Sequence, residues 1–211
     1  MTTDLPLEAQ LVEILTRSRE LGFLGPGPVG AQLSHAASWP PLIPEGSRVL
    51  DLGSGGGLPG LVISASRSDL DVTLLDAHRR RVEFLLQAVA ELGITDRARP
   101  ICGRAEALVE GRRSSFDVVV ARSFAAPAVT AECAAPFLRV GGKLLVSEPR
   151  TSPRTWPIEG LLSLGMQAEG RVVDGQSSIL VIRQVTPCPD RFPRRIGVAA
   201  KRPLFHVEHD M

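Results

Sequence analysis

The feature that most constrains this chain is a glycine-rich turn directly after an apolar run. Residues 49–60 read VLDLGSGGGLPG, and five of the eight positions from Gly53 to Gly60 are glycine. Glycine has no Cβ atom, so its backbone adopts positive φ angles and allows a ligand to lie directly against the main chain. Five glycines are more than a tight strand-to-helix connection needs. The turn therefore predicts a ligand cradled against the backbone between Asp51 and Gly60.

From Arg48 onward, apolar runs rich in β-forming residues alternate with helical patterns. This alternation predicts βαβ units in a mostly parallel sheet, and the nearly uniform apolar strands indicate helices on both faces. We therefore predict a Rossmann-like α/β fold, a doubly wound sheet preceded by a short helical extension. The predicted strands span residues 48–52, 72–76, 98–102, 117–121, 144–147 and 178–184, and the clearest helices span 81–92 and 128–138, the latter ended by Gly141-Gly142.

The two ends of the chain predict extensions around one domain. Apolar residues at helical spacing predict a helix over residues 5–21 and a shorter one over 29–39, ahead of the first strand. A length of 211 residues fits one domain with its own core. We therefore divide the chain into an N-terminal helical extension (1–45), a ligand-binding domain (46–186) and a basic C-terminal tail (187–211).

Composition excludes several classes of protein. An apolar content of 44% and a charged content of 22% are ordinary for a globular protein and exclude a largely disordered chain. Cys102, Cys133 and Cys188 form no CxxC pair, so they predict neither a metal site nor a disulfide framework, and they favour a reducing, cytoplasmic setting. The acidic N-terminus is unlike a signal peptide, and no run approaches the ~18 apolar residues of a spanning helix. We expect no membrane partner.

The net charge of +1 hides an uneven distribution of charge along the chain. The stretch from residue 191 to 202 contains five cations and no acid, a density that suits contacts with nucleic-acid phosphates. A solvated tail explains the same charges equally well. The candidate RNA-binding residues are Arg191, Arg194, Arg195, Lys201 and Arg202.

The identity of the ligand depends on where the glycines lie relative to the strand. Residues 55–60 also satisfy G-x-G-x-x-G, the fingerprint of dinucleotide sites. The predicted strand, however, ends at Leu52, so the first turn glycine is Gly53, which lies outside that fingerprint. The acid at Asp51 suits a cationic cofactor that carries an amine. Together these points favour S-adenosylmethionine over a dinucleotide.

Three later positions extend the predicted site, because ligands bind beyond the carboxyl ends of parallel strands. Asp76 ends the second strand, where a carboxylate accepts hydrogen bonds from ribose hydroxyls in either cofactor class. Ala105 and Glu106 follow the third strand and would flank an adenine, although a plain helix start explains them equally well. Arg122 follows the apolar fourth strand, where an arginine is costly unless it is paired or binds an anion.

These stretches resemble the ribosomal RNA small-subunit methyltransferase G family, also called glucose-inhibited division protein B. Its members methylate the ring N7 of a guanine in small-subunit ribosomal RNA. The resemblance covers about residues 48–205, and its Gly-Leu-Pro-Gly ending and the arginine-phenylalanine motif after the fourth strand are fairly specific. The matching stretches are DLGSGGGLPG, LLDAHRRRVEFL, GRAEAL, FDVVVARSFAAP and PRRIGVAAKRPLF.

The resemblance implies a class I methyltransferase fold, S-adenosylmethionine as cofactor and small-subunit (16S) ribosomal RNA, free or in a particle, as partner. The N-terminal quarter departs from the family, because only Ser34-His35 corresponds to its usual arginine-histidine pair. The cofactor contacts that the resemblance implies are Gly53, Leu58, Asp76, Ala105, Glu106 and Arg122, and the turn itself adds Asp51, Gly55 and Gly57.

Guanine N7 already presents a lone pair, so its methylation needs no general base, and the sequence offers no paired carboxylates or Ser-His-Asp set. We therefore expect no catalytic acid or base and assign Arg122 a positioning role. Two other functions fit the same fold. A pocket closed by the N-terminal helices and the loop after Pro149 would favour a small-molecule methyltransferase. Structural ion pairs at Arg122 or Asp76 would favour a non-catalytic nucleotide- or RNA-binding module.

Overall fold

The computed structural model describes residues 6–151, 154–175, 177–206 and 208–209. A seven-stranded sheet forms its centre, with the strand order β3-β2-β1-β4-β5-β8-β7. Strands β1 to β5 run parallel, whereas β8 and β7 are added antiparallel at one edge. The strands are β1 (Arg48–Leu52), β2 (Asp71–Asp76), β3 (Ala98–Cys102), β4 (Phe116–Ala121), β5 (Leu138–Ser147), β6 (Arg154–Thr155), β7 (Met166–Asp174), β8 (Ser177–Gln184) and β9 (Glu208–His209). The short strands β6 and β9 pair with each other.

Helices cover both faces of the sheet, which confirms the predicted Rossmann-like α/β fold. Adjacent residues of β1 point to opposite faces, so Val49 packs in one core and Leu50 in the other. The first core joins the sheet to α1 through α4, and the second joins it to α5, α6 and the C-terminal segment. The helices are α1 (Leu7–Glu20), α2 (Val29–Ala37), α3 (Gly60–Ser66), α4 (Arg79–Glu91), α5 (Ala105–Leu108), α6 (Pro127–Ala134), α7 (Ile158–Leu162) and α8 (Val198–Lys201), with 3-10 turns at Pro40–Leu42 and Ala135–Phe137.

Two elements differ from the sequence prediction. The helix predicted over 128–138 ends as α6 and a 3-10 turn, and the Gly141-Gly142 pair lies inside β5 rather than at a helix end. There the pairing of β5 with β4 shifts register between Phe116 and Val118, an irregularity that glycine accommodates. Strand β7 was not predicted, because most of its residues are exposed and its sequence lacks an apolar run.

The chain beyond β8 packs against the domain. Phe192 and Phe205 are buried in the second core, Ala199 of α8 is also buried, and α8 lies against α6. Much of the segment predicted as a tail is therefore anchored, although its exposed charges face outward. Within the ranges given above, no helix is long and apolar enough to cross a membrane, and no three His, Cys, Asp or Glu side chains are grouped as metal ligands.

Candidate active site

The glycine turn lies at the point where the strand order reverses, between β1 and β4. Such a switch point opens a crevice beyond the carboxyl ends of the strands. The backbone N–H groups of Gly53 and Ser54 both donate to the carbonyl oxygen of Leu75, at 2.8 and 2.9 Å, so the turn folds back over β2. Gly53 and Gly55 have φ angles of +77° and +55°. These positions need glycine, because other residues are strained there.

Asp76 faces this turn from the end of β2. Its Oδ2 accepts a hydrogen bond from the Gly55 N–H at 2.9 Å, and its Oδ1 accepts one from the His78 N–H at 2.8 Å. The Arg81 Nη1 lies 3.7 Å from Oδ2. A carboxylate has about four acceptor sites, so the two backbone bonds fix its orientation and leave it able to accept from ligand hydroxyls.

A narrow cavity of about 60 Å³ lies between the ends of β1, β2 and β3. Gly53, Asp76, Ala105 and Glu106 line it, so the residues predicted to flank an adenine and a ribose do meet in space. Phe124 forms its outer wall, and a Cβ atom on Gly53 would lie only 2.5 Å from Cδ2 of that ring. The glycine therefore admits an aromatic side chain directly against the turn.

A second cavity of about 220 Å³ lies on the other side of the turn, and Gly55, Leu58 and Arg122 line it. The N-terminal segment borders this cavity on one side, where Gln32 donates to the Gly25 carbonyl at 3.0 Å and accepts from Arg122 Nη2 at 3.2 Å. Among the described residues, Arg122 has no ion pair with a carboxylate. Burial lowers its pKa, and the charge of Asp51 partly opposes this.

Asp51 lies beneath the turn and is 1% exposed. Its Oδ2 accepts a hydrogen bond from the Gly60 N–H at 3.1 Å, whereas its buried Oδ1 has no partner within the described part of the chain. Burial raises the pKa of this carboxyl group to about 7, although the nearby Ser54 hydroxyl and the Gly60 N–H limit the rise, and the charge of Asp76 adds to it. The close approach requires Gly60, because a Cβ atom there would lie 2.3 Å from Oδ2.

A third cavity, of about 420 Å³, opens beyond β4 and β5. Phe124 separates it from the 60 Å³ cavity, and Ser123 separates it from the 220 Å³ cavity. Ser123 has a φ of +56°, an unusual angle for a residue other than glycine, and such angles concentrate at functional sites. Glu148 and Trp156 line this cavity with only 5% and 6% exposure, and Trp156 Nε1 donates to Glu148 Oε1 at 3.1 Å.

The sequence predictions did not include Glu148 and Trp156. An acid directly after a buried parallel strand was the available signal for Glu148, since β5 ends at the same edge as β1, β2 and β4. Trp156 lies in the loop after Pro149, and no local sequence pattern indicates that its indole N–H meets Glu148.

The predicted basic residues divide into two groups. Arg194 is bound to Glu132, a fully buried acid of α6, which accepts from the Arg194 backbone N–H at 2.9 Å and from its Nη2 at 2.6 Å. The remaining cations are exposed: Arg191, Arg195, Lys201 and Arg202. Near them, the backbone N–H of Gly197 donates to Glu106 Oε1 at 3.3 Å, which ties the C-terminal segment to the 60 Å³ cavity.

Together these groups provide what S-adenosylmethionine requires. A glycine backbone shaped for close contact, an oriented carboxylate at Asp76 and a forked guanidinium at Arg122 lie on one edge of the sheet. The buried Oδ1 of Asp51 adds an acceptor for a cationic group. Within the described part of the chain, Arg122 has no ion pair with a carboxylate, and Asp76 has one at 3.7 Å, with the part-exposed Arg81.

Comparison with solved structures agrees with this fold. A mutant of MtNAS in complex with S-adenosylmethionine superposes with a TM-score of 0.60 at 15% identity, covering 84% of this chain and 73% of that one. A putative O-methyltransferase from Klebsiella pneumoniae also gives 0.60, at 16% identity, over 88% and 93% of the two chains. The [4+2]-cyclase SpnF gives 0.60 as well, at 15% identity over 85% and 94%. At such identities the likeness concerns the fold alone.

Comparison of sequences is more specific. The model of the family described as rRNA small subunit methyltransferase G matches residues 30–152. The Ribosomal RNA small subunit methyltransferase G of Deinococcus deserti is 35% identical over 174 residues, which are 75% of this chain and 68% of that protein. The protein of the same name from Moorella thermoacetica is 36% identical over 77% of this chain and 71% of its own length. The chain therefore belongs to the rRNA small subunit methyltransferase G family.

Proposed function

We propose that this protein is an S-adenosylmethionine-dependent methyltransferase that acts on the N7 of a guanine in small-subunit (16S) ribosomal RNA. Family membership supports the reaction and the substrate. The observation that carries the proposal is the meeting of three cavities at Ser123 and Phe124, beside the glycine turn. Two of these cavities would take the two ends of the cofactor, and the third would take the target base next to it.

The cofactor assignment follows from the chemistry of each cavity. Asp76 would accept the ribose hydroxyls, and Ala105 and Glu106 would flank the adenine in the 60 Å³ cavity. Arg122 would bind the carboxylate of the methionine portion with its guanidinium fork. Asp51 would favour the ammonium group electrostatically from beneath the turn. Gly53, Gly55, Gly57 and Leu58 would form the surface against which the cofactor lies.

The bound cofactor supplies an electrophilic methyl group on a positively charged sulfur. The protein's part is to bring the guanine N7 into line with that methyl group and to hold it there. Fixing both reactants replaces the translational and rotational entropy that a bimolecular step would lose. Arg122 stays protonated and acts by position and charge. No side chain needs to remove a proton before attack, because the N7 lone pair is available.

The RNA would approach over the exposed cations of the C-terminal segment. Arg191, Arg195, Lys201 and Arg202 are exposed and suit contacts with phosphates. Arg194, which is bound to buried Glu132, would hold this surface in place rather than contact RNA itself. A substrate of this kind places the protein in the cytoplasm.

The test is mass mapping of 16S ribosomal RNA from cells with and without this gene, followed by methylation of the unmodified RNA with purified protein. We expect a single N7-methylguanine that is lost with the gene and restored in vitro. A small-molecule methyltransferase would leave the ribosomal RNA unchanged. Binding of S-adenosylmethionine without any methylation of ribosomal RNA would contradict the proposed substrate while retaining the cofactor.

A further inference from the structure

We propose that the 420 Å³ cavity is a base pocket in which the Glu148 carboxylate recognises the hydrogen-bond donor edge of guanine. The base pocket is lined by Ser123, Phe124, Thr130, Glu148 and Trp156, among others. This inference rests on the proposed function, since it concerns the base that receives the methyl group. It adds a reason why that base is guanine.

The backbone and the side chain of Glu148 both make hydrogen bonds. Its backbone N–H donates to the Ser178 carbonyl at 2.8 Å, which continues the pairing of β5 with β8 beyond the end of the strand. Its side chain accepts from the indole N–H of Trp156 at 3.1 Å. Trp156 in turn packs against Phe205, with ring centroids 6.1 Å apart. The carboxylate is therefore oriented by the sheet and by an aromatic side chain anchored from the C-terminal segment.

The chemistry of a buried carboxylate selects one base. An ionised carboxylate accepts hydrogen bonds and donates none. Among the four RNA bases, guanine alone presents two adjacent donors on its pairing edge, the ring N1–H and the exocyclic amino group. Adenine presents an acceptor at N1, which the carboxylate would repel. Enzymes that act on an unstacked base read it by this edge and stack it between aromatic side chains, a role open to Trp156 and Phe124.

The placement of Glu148 also agrees with the site of methylation. The N7 of guanine belongs to the five-membered ring, whereas the donors N1–H and the amino group belong to the six-membered ring. Strands β5 and β1 are both neighbours of β4, so their ends lie about 10 Å apart. A base whose donor edge faces Glu148 would therefore direct N7 towards the glycine turn and the cofactor. Ser123 and Phe124, which border both the base pocket and the cofactor cavities, lie between the two.

The test uses guanosine, inosine and adenosine monophosphates as probes, titrated against the whole protein loaded with S-adenosylhomocysteine and followed by ligand-observed NMR. Inosine lacks the amino group of guanine, and adenine reverses the donor at N1. We expect guanosine monophosphate to bind about 10- to 100-fold more tightly than either, the usual effect of hydrogen bonds to a charged group. In Glu148→Gln this preference should disappear, while affinity for S-adenosylhomocysteine stays unchanged.

Two further variants separate recognition from folding. Trp156→Phe keeps the aromatic ring but removes the N–H that orients the carboxylate, so it should weaken the preference for guanosine monophosphate without abolishing it. Glu159→Gln, an exposed acid on α7, is the matched control and should behave as wild type. If Glu148→Gln does not fold, the test rests on two measurements: the preference of the wild-type protein for guanosine monophosphate, and its weakening in Trp156→Phe.

Two results would overturn the base pocket: wild-type protein with no preference for guanosine monophosphate, or a folded Glu148→Gln variant that keeps the preference. Methylation of ribosomal RNA, measured in parallel with wild-type protein, separates this from failure of the proposed function. Methylation without a guanosine preference rejects the pocket alone. A guanosine preference that depends on Glu148, without methylation of ribosomal RNA, rejects the substrate and retains the pocket.

Discussion

Two buried carboxylates on opposite faces of the sheet are treated differently by the fold. Glu132, in α6, accepts three hydrogen bonds from Arg194, so both of its carboxylate oxygens have partners. Asp51, beneath the glycine turn, accepts one from Gly60 and keeps an oxygen without a partner among the described residues. The hydrogen bonds of Glu132 attach the C-terminal segment to α6. The free acceptor capacity of Asp51 would instead suit a cationic group of a ligand. Burial alone does not distinguish a structural carboxylate from a ligand-binding one. The number of hydrogen-bond partners of each carboxylate oxygen does.

The largest expected effect on stability comes from the ion pair between Arg194 and Glu132. Arg194→Ala leaves Glu132 buried without its cation, so we expect the free energy of unfolding to fall by about 3 kcal/mol. Arg195→Ala removes the neighbouring exposed cation and should change stability by less than about 0.5 kcal/mol. Urea denaturation of both variants makes the comparison. Equal stabilities would mean that Arg194 is an ordinary surface charge and free to contact RNA.

Substitution of Asp51 should have the opposite effect and raise the stability of the cofactor-free protein. The folded-state pKa of Asp51, about 7, is above its ordinary value of 3.8, so the cofactor-free protein should lose stability as pH rises between these values. Asp51→Asn removes this loss and should be more stable than wild type above pH 7, where the wild-type carboxyl group is ionised. The same variant should bind S-adenosylmethionine more weakly. Stability curves that stay parallel from pH 4.5 to 8 would show that Asp51 does not titrate in this range.

The oriented carboxylate of Asp76 should contribute to cofactor affinity rather than to stability. We expect Asp76→Ala to weaken S-adenosylmethionine binding by roughly 1.5–3 kcal/mol in calorimetry. Asp71→Ala, at the exposed start of the same strand, is the matched control, because its partner Arg99 lies far from the turn. Similar affinities for the two variants would remove Asp76 from the site. Tight NAD binding without S-adenosylmethionine binding would contradict the cofactor assignment altogether.

Arg122 tests whether geometry matters beyond charge. Arg122→Lys keeps the charge but removes the fork and the hydrogen bond to Gln32, so we expect the single-turnover rate to fall about tenfold, or ~1.4 kcal/mol. The melting temperature should stay near that of wild type. Arg99→Lys, at an exposed ion pair, serves as control. A folded variant with full activity would refute the positioning role, and an unfolded one would make Arg122 a structural residue.

The exposed cations should have the smallest effect per residue, below about 1 kcal/mol each. Neutralising Arg191, Arg195, Lys201 and Arg202 together, with Arg194 kept, should make RNA binding less sensitive to salt. The log-log slope should fall by about 0.7 for each RNA phosphate that the variant no longer neutralises. Cofactor affinity should not change. If the slope is unaltered, RNA binds elsewhere on the protein.

Much of the fold and part of the site are readable from local sequence, because they depend on backbone conformation. Strand β1 and the positions of Gly53 and Asp76 follow from an apolar run, a glycine cluster and an acid at a strand end. Glu132 and Arg194 lie 62 residues apart, and neither local pattern reveals that they meet. Strand β7 is stabilised by pairing with β8 at an edge, so its sequence has no buried alternation to detect.

The hydrogen bond from Gly197 to Glu106 has a thermodynamic consequence. The Glu106 carboxylate lines the 60 Å³ cavity, where we propose that the adenine binds, and it also accepts a hydrogen bond from the segment that carries the exposed cations. A cofactor that changes the hydrogen bonding of Glu106 changes how firmly that segment is held. If the cofactor changes RNA affinity by stabilising or releasing this segment, RNA must change cofactor affinity by the same factor. Cofactor binding and RNA binding would then be thermodynamically coupled through Glu106.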